Sequence, residues 1–124
     1  MKIVILDGIS ITQKDLWWEE LSEMGELEVH DRTEDDEAAE FIGDEEIVFT
    51  SKCPISREVM DACPQIKFTG SLATGYDHID LKAARERGIA VCNVPAYSTD
   101  SVAQHTFANH CQHRRPSPHF RGEC

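Results

Sequence analysis

The feature that most limits how this chain can fold is an alternation. Short apolar runs appear at KIVILD (residues 2–7), ELEVH (26–30), EEIVFTS (45–51), IKFTGSL (66–72) and IAVCNVP (89–95). Each is bounded by turn-forming residues, so each reads as a short buried strand. Between them lie segments with helical spacing or helix caps, and the connections leave no room for hairpins. Strand and helix in strict alternation specify a parallel sheet covered on both faces. The expected fold is α/β, flavodoxin-like (Rossmann-like): a five-stranded parallel sheet with helices on both faces and strand order 2-1-3-4-5. Ligands of such sheets sit beyond the carboxyl ends of the strands.

The helices are read from caps and periodicity. TQKDLWWEELSEMG offers Thr12 as N-cap, places Leu16, Trp17, Leu21 and Met24 on one face, and stops at Gly25. TEDDEAAEFIG opens on acidic residues, as a helix N-terminus prefers, and Ala38, Ala39, Phe41 and Ile42 supply its buried face. Its acidic run reads as a solvated surface. ISREVMDACP makes a short helix capped by Ser56 and ended by Pro64, and DLKAARERG (80–88) makes another.

The 124 residues suffice for one domain with a core. A formal net charge of -11 argues against nucleic acid or an anionic membrane surface as partner, since both repel acid. No apolar run approaches the roughly 18 residues of a membrane span, and MKIVILDGIS lacks the long apolar region of a signal peptide. The expectation is a soluble cytoplasmic protein. Cys53, Cys63, Cys92, Cys111 and Cys124 are odd in number, form no CxxC pair and include three in apolar surroundings. They read as reduced thiols rather than a disulfide framework.

The stretch SLATGYDHID (71–80) sits where the fourth strand ends. Gly75 has no Cβ, so a ligand can approach its amide closely. Asp77 or Asp80 can cap the helix that follows. Successive amides at such a turn, around Ala73, Thr74 and Gly75, form a concavity suited to a carboxylate. A tight structural turn that needs one glycine and one Asp cap is the alternative.

Over residues 67–108 the chain resembles the D-isomer-specific 2-hydroxyacid dehydrogenases, carried by ATGYDHID and NVPAYSTDSVAQHTFA. The wording YSTDSVAQH is similar to that of glycerate (hydroxypyruvate) dehydrogenases within that family. The resemblance implies a substrate-binding domain over residues 1–108, a small 2-hydroxy or 2-oxo acid as ligand, and NAD as cofactor. It implies that Ala73, Thr74 and Gly75 offer their amides to the substrate carboxylate and that Ser51 lines the same cleft. It also implies that the helix starting near Thr99 leads towards a dinucleotide-binding domain. Val102 then matches a position on the nicotinamide side, where packing is an equal alternative.

Other parts of the family pattern are missing. No GxGxxG occurs, so the phosphate cradle of a dinucleotide domain is absent from these residues. The Arg, Glu and His that the family uses for charge stabilisation and proton transfer lie downstream of the resemblance, so no catalytic residue is assigned here. His78 and His105 do not match the catalytic His and read as an exposed turn and a helix face. The expectation is an oxidoreductase fragment without turnover of its own; a non-catalytic small-carboxylate-binding or interaction module is the alternative. A receiver module would need clustered acids after the first strand and a Lys after the fifth, and DGIS and NVPAYS supply neither set.

From residue 109 the wording changes to NHCQHRRPSPHFRGEC, polar, basic and broken by Pro116 and Pro118. A change of reading frame near Ala108 is the expectation drawn from that break, a genuine short protein with its own tail being the alternative, and residues 109–124 are expected to be a disordered tail. His110, Cys111, His113, His119 and Cys124 fit no common zinc spacing, so no metal is expected. Val102, Phe107 and Ala108 are expected to leave apolar surface exposed on the last helix, a route to self-association.

Overall fold

A computed structural model describes residues 1–12 and 18–113 of the chain. Five strands, β1 (Lys2–Ile5), β2 (Glu26–Val29), β3 (Ile47–Thr50), β4 (Phe68–Ser71) and β5 (Ala90–Cys92), form one sheet in the order β2-β1-β3-β4-β5. Every pairing is parallel. Helices α1 (Glu19–Met24), α2 (Ala38–Ile42), α3 (Arg57–Ala62), α4 (Leu81–Arg87) and α5 (Thr99–His113) alternate with the strands, and a short 3-10 turn (Gly8–Ser10) follows β1. The expected architecture and strand order are both present.

Burial explains why the apolar runs became strands. Alternation along β1 and β3 sends Val4, Leu6 and Val48 to one face. There they pack with Ala38 and Ile42 of α2, Val59 and Met60 of α3, and Ala83 and Ala84 of α4 in one continuous core. Ile3 and Ile5 point the other way and are buried too. A strand dry on both faces needs apolar residues at consecutive positions, which is why KIVIL shows no polar alternation. Each such side chain contributes about 1.5–3 kcal/mol on burial. In β4, Gly70 leaves room for the Phe49 and Phe68 rings, which meet edge to face at 5.8 Å.

The caps of the central helices follow the expected chemistry. The Ser56 hydroxyl accepts from the Val59 N–H at 3.4 Å, and the Asp80 carboxylate accepts from the Ala83 N–H at 2.9 Å. Gly88 ends α4 with φ 70, the left-handed conformation that glycine tolerates best.

Elsewhere the structure corrects the sequence reading. The first helix begins at Glu19 after Trp18, so Thr12 is not its cap; Leu16 and Trp17 lie outside the described residues. Met24 is exposed and Leu21 only half-buried, so among the described residues this short helix buries little apolar surface. The second helix starts at Ala38 rather than in the acidic run, where Glu34 to Glu37 forms a turn closed by the Glu37 N–H donating to the Glu34 carbonyl. Among the described residues no helix is long and apolar enough to cross a membrane.

Candidate functional site

The carboxyl ends of β3, β4 and β5 lie side by side, and the backbone keeps pairing one step beyond the strands: the Leu72 N–H donates to the Thr50 carbonyl at 2.8 Å. From there the chain makes an irregular loop, and α4 does not begin until Leu81. Three consecutive carbonyls of this loop are used internally. The Ala73 carbonyl accepts from the Val94 N–H at 3.1 Å, the Thr74 carbonyl from Asn93 Nδ2 at 2.8 Å, and the Gly75 carbonyl from the Ser71 hydroxyl at 2.7 Å. The Thr74 hydroxyl adds a bond to the Val94 carbonyl at 3.2 Å.

The matching N–H groups of Ala73, Thr74 and Gly75 donate to no acceptor among the described residues. Thr74 and Gly75 are exposed and Ala73 is half-buried. With its carbonyls tied down, the loop keeps three successive amides without an acceptor among the described residues, and successive amides are the groups that receive anions at backbone nests. A Cβ at Gly75 would meet only Asp77 Oδ2, at 3.8 Å, so packing within the chain does not demand glycine there. Asn93, which holds Thr74, was not singled out in the sequence; an Asn directly after a strand is the signal that could have found it.

Ser51 stands at the exit of β3, next to the exit of β4 from which this loop starts. Its setting depends on a residue read from sequence only as a strand stop. Asp7 adopts a left-handed backbone (φ 56, ψ 41) and is 6% exposed. Its carboxylate accepts from the N–H groups of Ser51 at 3.1 Å, Lys52 at 2.6 Å and Cys53 at 3.0 Å. The Thr50 hydroxyl closes the same loop by donating to the Cys53 carbonyl at 2.9 Å. The Ser51 hydroxyl has no partner among the described residues.

Val102 lies on α5, exposed, its N–H donating to the Ser98 carbonyl and its carbonyl accepting from the Thr106 hydroxyl at 2.8 Å. The structure thus brings Ser51, Ala73, Thr74 and Gly75 to one rim and leaves Val102 on a separate element. The link between β5 and α5 carries Ala96 at φ 56, a strained value for a residue with a Cβ. His105 is exposed on α5, as read; His78 lies in a turn, as read, but is half-buried rather than exposed, and its Nε2 is buried without a partner among the described residues. Its backbone carbonyl accepts from the Ile55 N–H at 2.8 Å. His110, Cys111 and His113 belong to α5, and His119 and Cys124 lie outside the described residues.

The described residues do not fit a dinucleotide. Its pyrophosphate needs free amides in a glycine-rich turn, usually after the first strand. Here that turn presents the Asp7 carboxylate, and the amides of Gly8 and Ile9 are already donated to His30 and Asp31 carbonyls at 2.8 and 3.0 Å.

The family model for the catalytic domain of D-isomer specific 2-hydroxyacid dehydrogenases matches residues 3–115. A hydroxypyruvate reductase of Blautia hydrogenotrophica is 48% identical over 111 residues, covering 87% of this chain and 34% of that protein. A D-3-phosphoglycerate dehydrogenase of Methanocaldococcus jannaschii is 38% identical over 88 residues, 70% of this chain and 17% of that protein. Among solved structures, an acyclic imino acid reductase in complex with NADPH and D-Arg superposes with a TM-score of 0.75 at 28% identity, covering 87% of this chain and 35% of its own. The apo D-lactate dehydrogenase of Escherichia coli gives a TM-score of 0.74 at 27% identity, over 90% of this chain and 36% of its own. The chain spans about a third or less of the length of the proteins it matches.

Proposed function

This chain belongs to the D-isomer specific 2-hydroxyacid dehydrogenase family, and from that premise we propose that it forms the substrate side of an oxidoreductase acting on small D-2-hydroxy acids and their 2-oxo partners. The observation that carries the reading is the set of three free N–H groups at Ala73, Thr74 and Gly75. A substrate carboxylate accepts from them, and the Ser51 hydroxyl lies on the neighbouring strand exit to meet the oxygen on the adjacent carbon. Hydrogen bonds to a charged acceptor contribute about 1.5–3 kcal/mol each, less where water competes, so the turn alone supports weak, orientation-specific binding.

NAD, the family's cofactor, would accept the hydride when a 2-hydroxy acid is oxidised, and its reduced form NADH would return it when a 2-oxo acid is reduced. Since the described residues offer it no cradle, it would be held outside this sheet, and no step through it follows from these residues. The proposal therefore includes inactivity of the isolated chain: NADH with hydroxypyruvate or glyoxylate gives no oxidation above background. The wording shared with glycerate dehydrogenases and the similarity to a hydroxypyruvate reductase favour hydroxypyruvate and glycerate as the substrate pair.

The test is an amide-resolved NMR titration of the chain with glyoxylate. The expected result is saturable movement of the Ala73, Thr74 and Gly75 amides at millimolar ligand, with Asp77→Asn binding more tightly because a like charge near Gly75 is removed. Silence of those three amides defeats the reading.

A further inference from the structure

We infer that Asp7 is a positioning residue for this site: its buried carboxylate fills the amide nest of the loop after β3 and thereby sets Ser51 and Lys52 at the rim beside the Ala73–Gly75 turn. Asp7 precedes its three donors by 44 to 46 residues and reaches them only because β1 and β3 are neighbours. Three successive amides converging on one point make a site for an anion, and here the chain supplies that anion itself.

The backbone at Asp7 is shaped for the task. Its left-handed conformation is one that Asp adopts more readily than most residues, and its own carbonyl accepts from both the N–H and the hydroxyl of Ser10, at 3.0 and 2.7 Å. Both carboxylate oxygens are occupied, one by Ser51 and the other by Lys52 and Cys53. Two runs of three successive amides thus flank one rim. The first is filled from within, and the second, at Ala73 to Gly75, is left open. That asymmetry directs a carboxylate ligand to the β4 loop and leaves the exposed Lys52 side chain and the Ser51 hydroxyl for the rest of the molecule. A second acidic group, or the oxygen on the carbon next to the carboxylate, is the chemistry those two would favour.

The claim about ligand affinity rests on the function proposed above; the claim that Asp7 fills a nest does not. Both are read from the same amide spectra, using formate and glyoxylate as probes with wild type, Asp7→Ala and Asp7→Asn. In Asp7→Ala the emptied nest is expected to bind formate, seen as saturable shifts of the Ser51, Lys52 and Cys53 amides that wild type lacks. Absence of those shifts in a folded variant overturns the nest. Asp7→Asn keeps the left-handed backbone but offers one acceptor oxygen. Its glyoxylate affinity at Ala73 to Gly75 is expected to fall about tenfold, the scale of one charge-assisted hydrogen bond, with the spectrum otherwise dispersed as in wild type. Unchanged affinity in that variant overturns positioning, even if Asp7→Ala fails to fold. Formate binding at residues 51–53 of Asp7→Ala upholds the nest even where wild type ignores glyoxylate, an outcome that removes the proposed function and, with it, the positioning of a ligand by Asp7.

Discussion

Burial pushes the Cys53 thiol up to about 12, with the nearby Asp7 carboxylate adding to the effect, and burial raises Cys63 as well. Cys92, at the end of β5, is exposed. A raised thiol pKa leaves the reactive thiolate scarce: at about pH 8 a group titrating near 12 is ionised to about one part in ten thousand. Iodoacetamide followed by peptide mass spectrometry should therefore label Cys92 fast, and Cys53 and Cys63 only on unfolding. Rapid labelling of Cys53 in the native chain would show that the Asp7 loop opens. The same corner shows where single residues escape a sequence reading. Asp7 and Asn93 are ordinary turn residues on paper. Their partners lie on other strand exits, and nothing in local composition pairs them.

At the scale of elements, β4 and the loop that leaves it carry two glycines with opposite meanings. A Cβ on Gly70 would come within 2.6 Å of the Phe49 ring and 3.1 Å of the Phe68 ring, while one on Gly75 meets nothing closer than 3.8 Å. Gly70→Ala is expected to destabilise the chain by about 1–3 kcal/mol, the range for overpacking a core. Gly75→Ala should leave stability within about 0.5 kcal/mol, as for surface changes, yet weaken glyoxylate binding. Urea unfolding measures the first pair and the titration the second; equal destabilisation by both variants would mean that the Gly75 turn is structural. The sheet itself was legible because apolar runs, caps and short connections all pointed to one topology. Element ends were not, since Met24, Leu21 and the acidic run before Ala38 depend on what a neighbouring element covers. The candidate loop was found through its wording, but which of its amides are free follows only from where β5 places Asn93 and Val94.

The whole molecule sets charge against exposed apolar surface. Along α5, Val102 is 61% and Phe107 71% exposed, and Tyr97 just before the helix is 64% exposed. Val102, Ala103 and Phe107 fall within one half of the helix circumference, so a second copy can cover them together. Burying a side chain of this size contributes about 1.5–3 kcal/mol, and a pair of copies buries each twice. Against that stands a net charge of -11 on every copy, whose repulsion acts over about 10 Å at 0.1 M salt and about 3 Å at 1 M. Self-association should therefore strengthen with salt, the reverse of a contact built on ion pairs. Sedimentation velocity is expected to show mostly monomer at low ionic strength and a growing dimer fraction as salt rises. The double variant Val102→Ser, Phe107→Ser should remain monomeric throughout. A dimer that persists in that variant would place the contact elsewhere, and a monomer at every salt concentration would mean that repulsion and the polar remainder of α5 outweigh its apolar half.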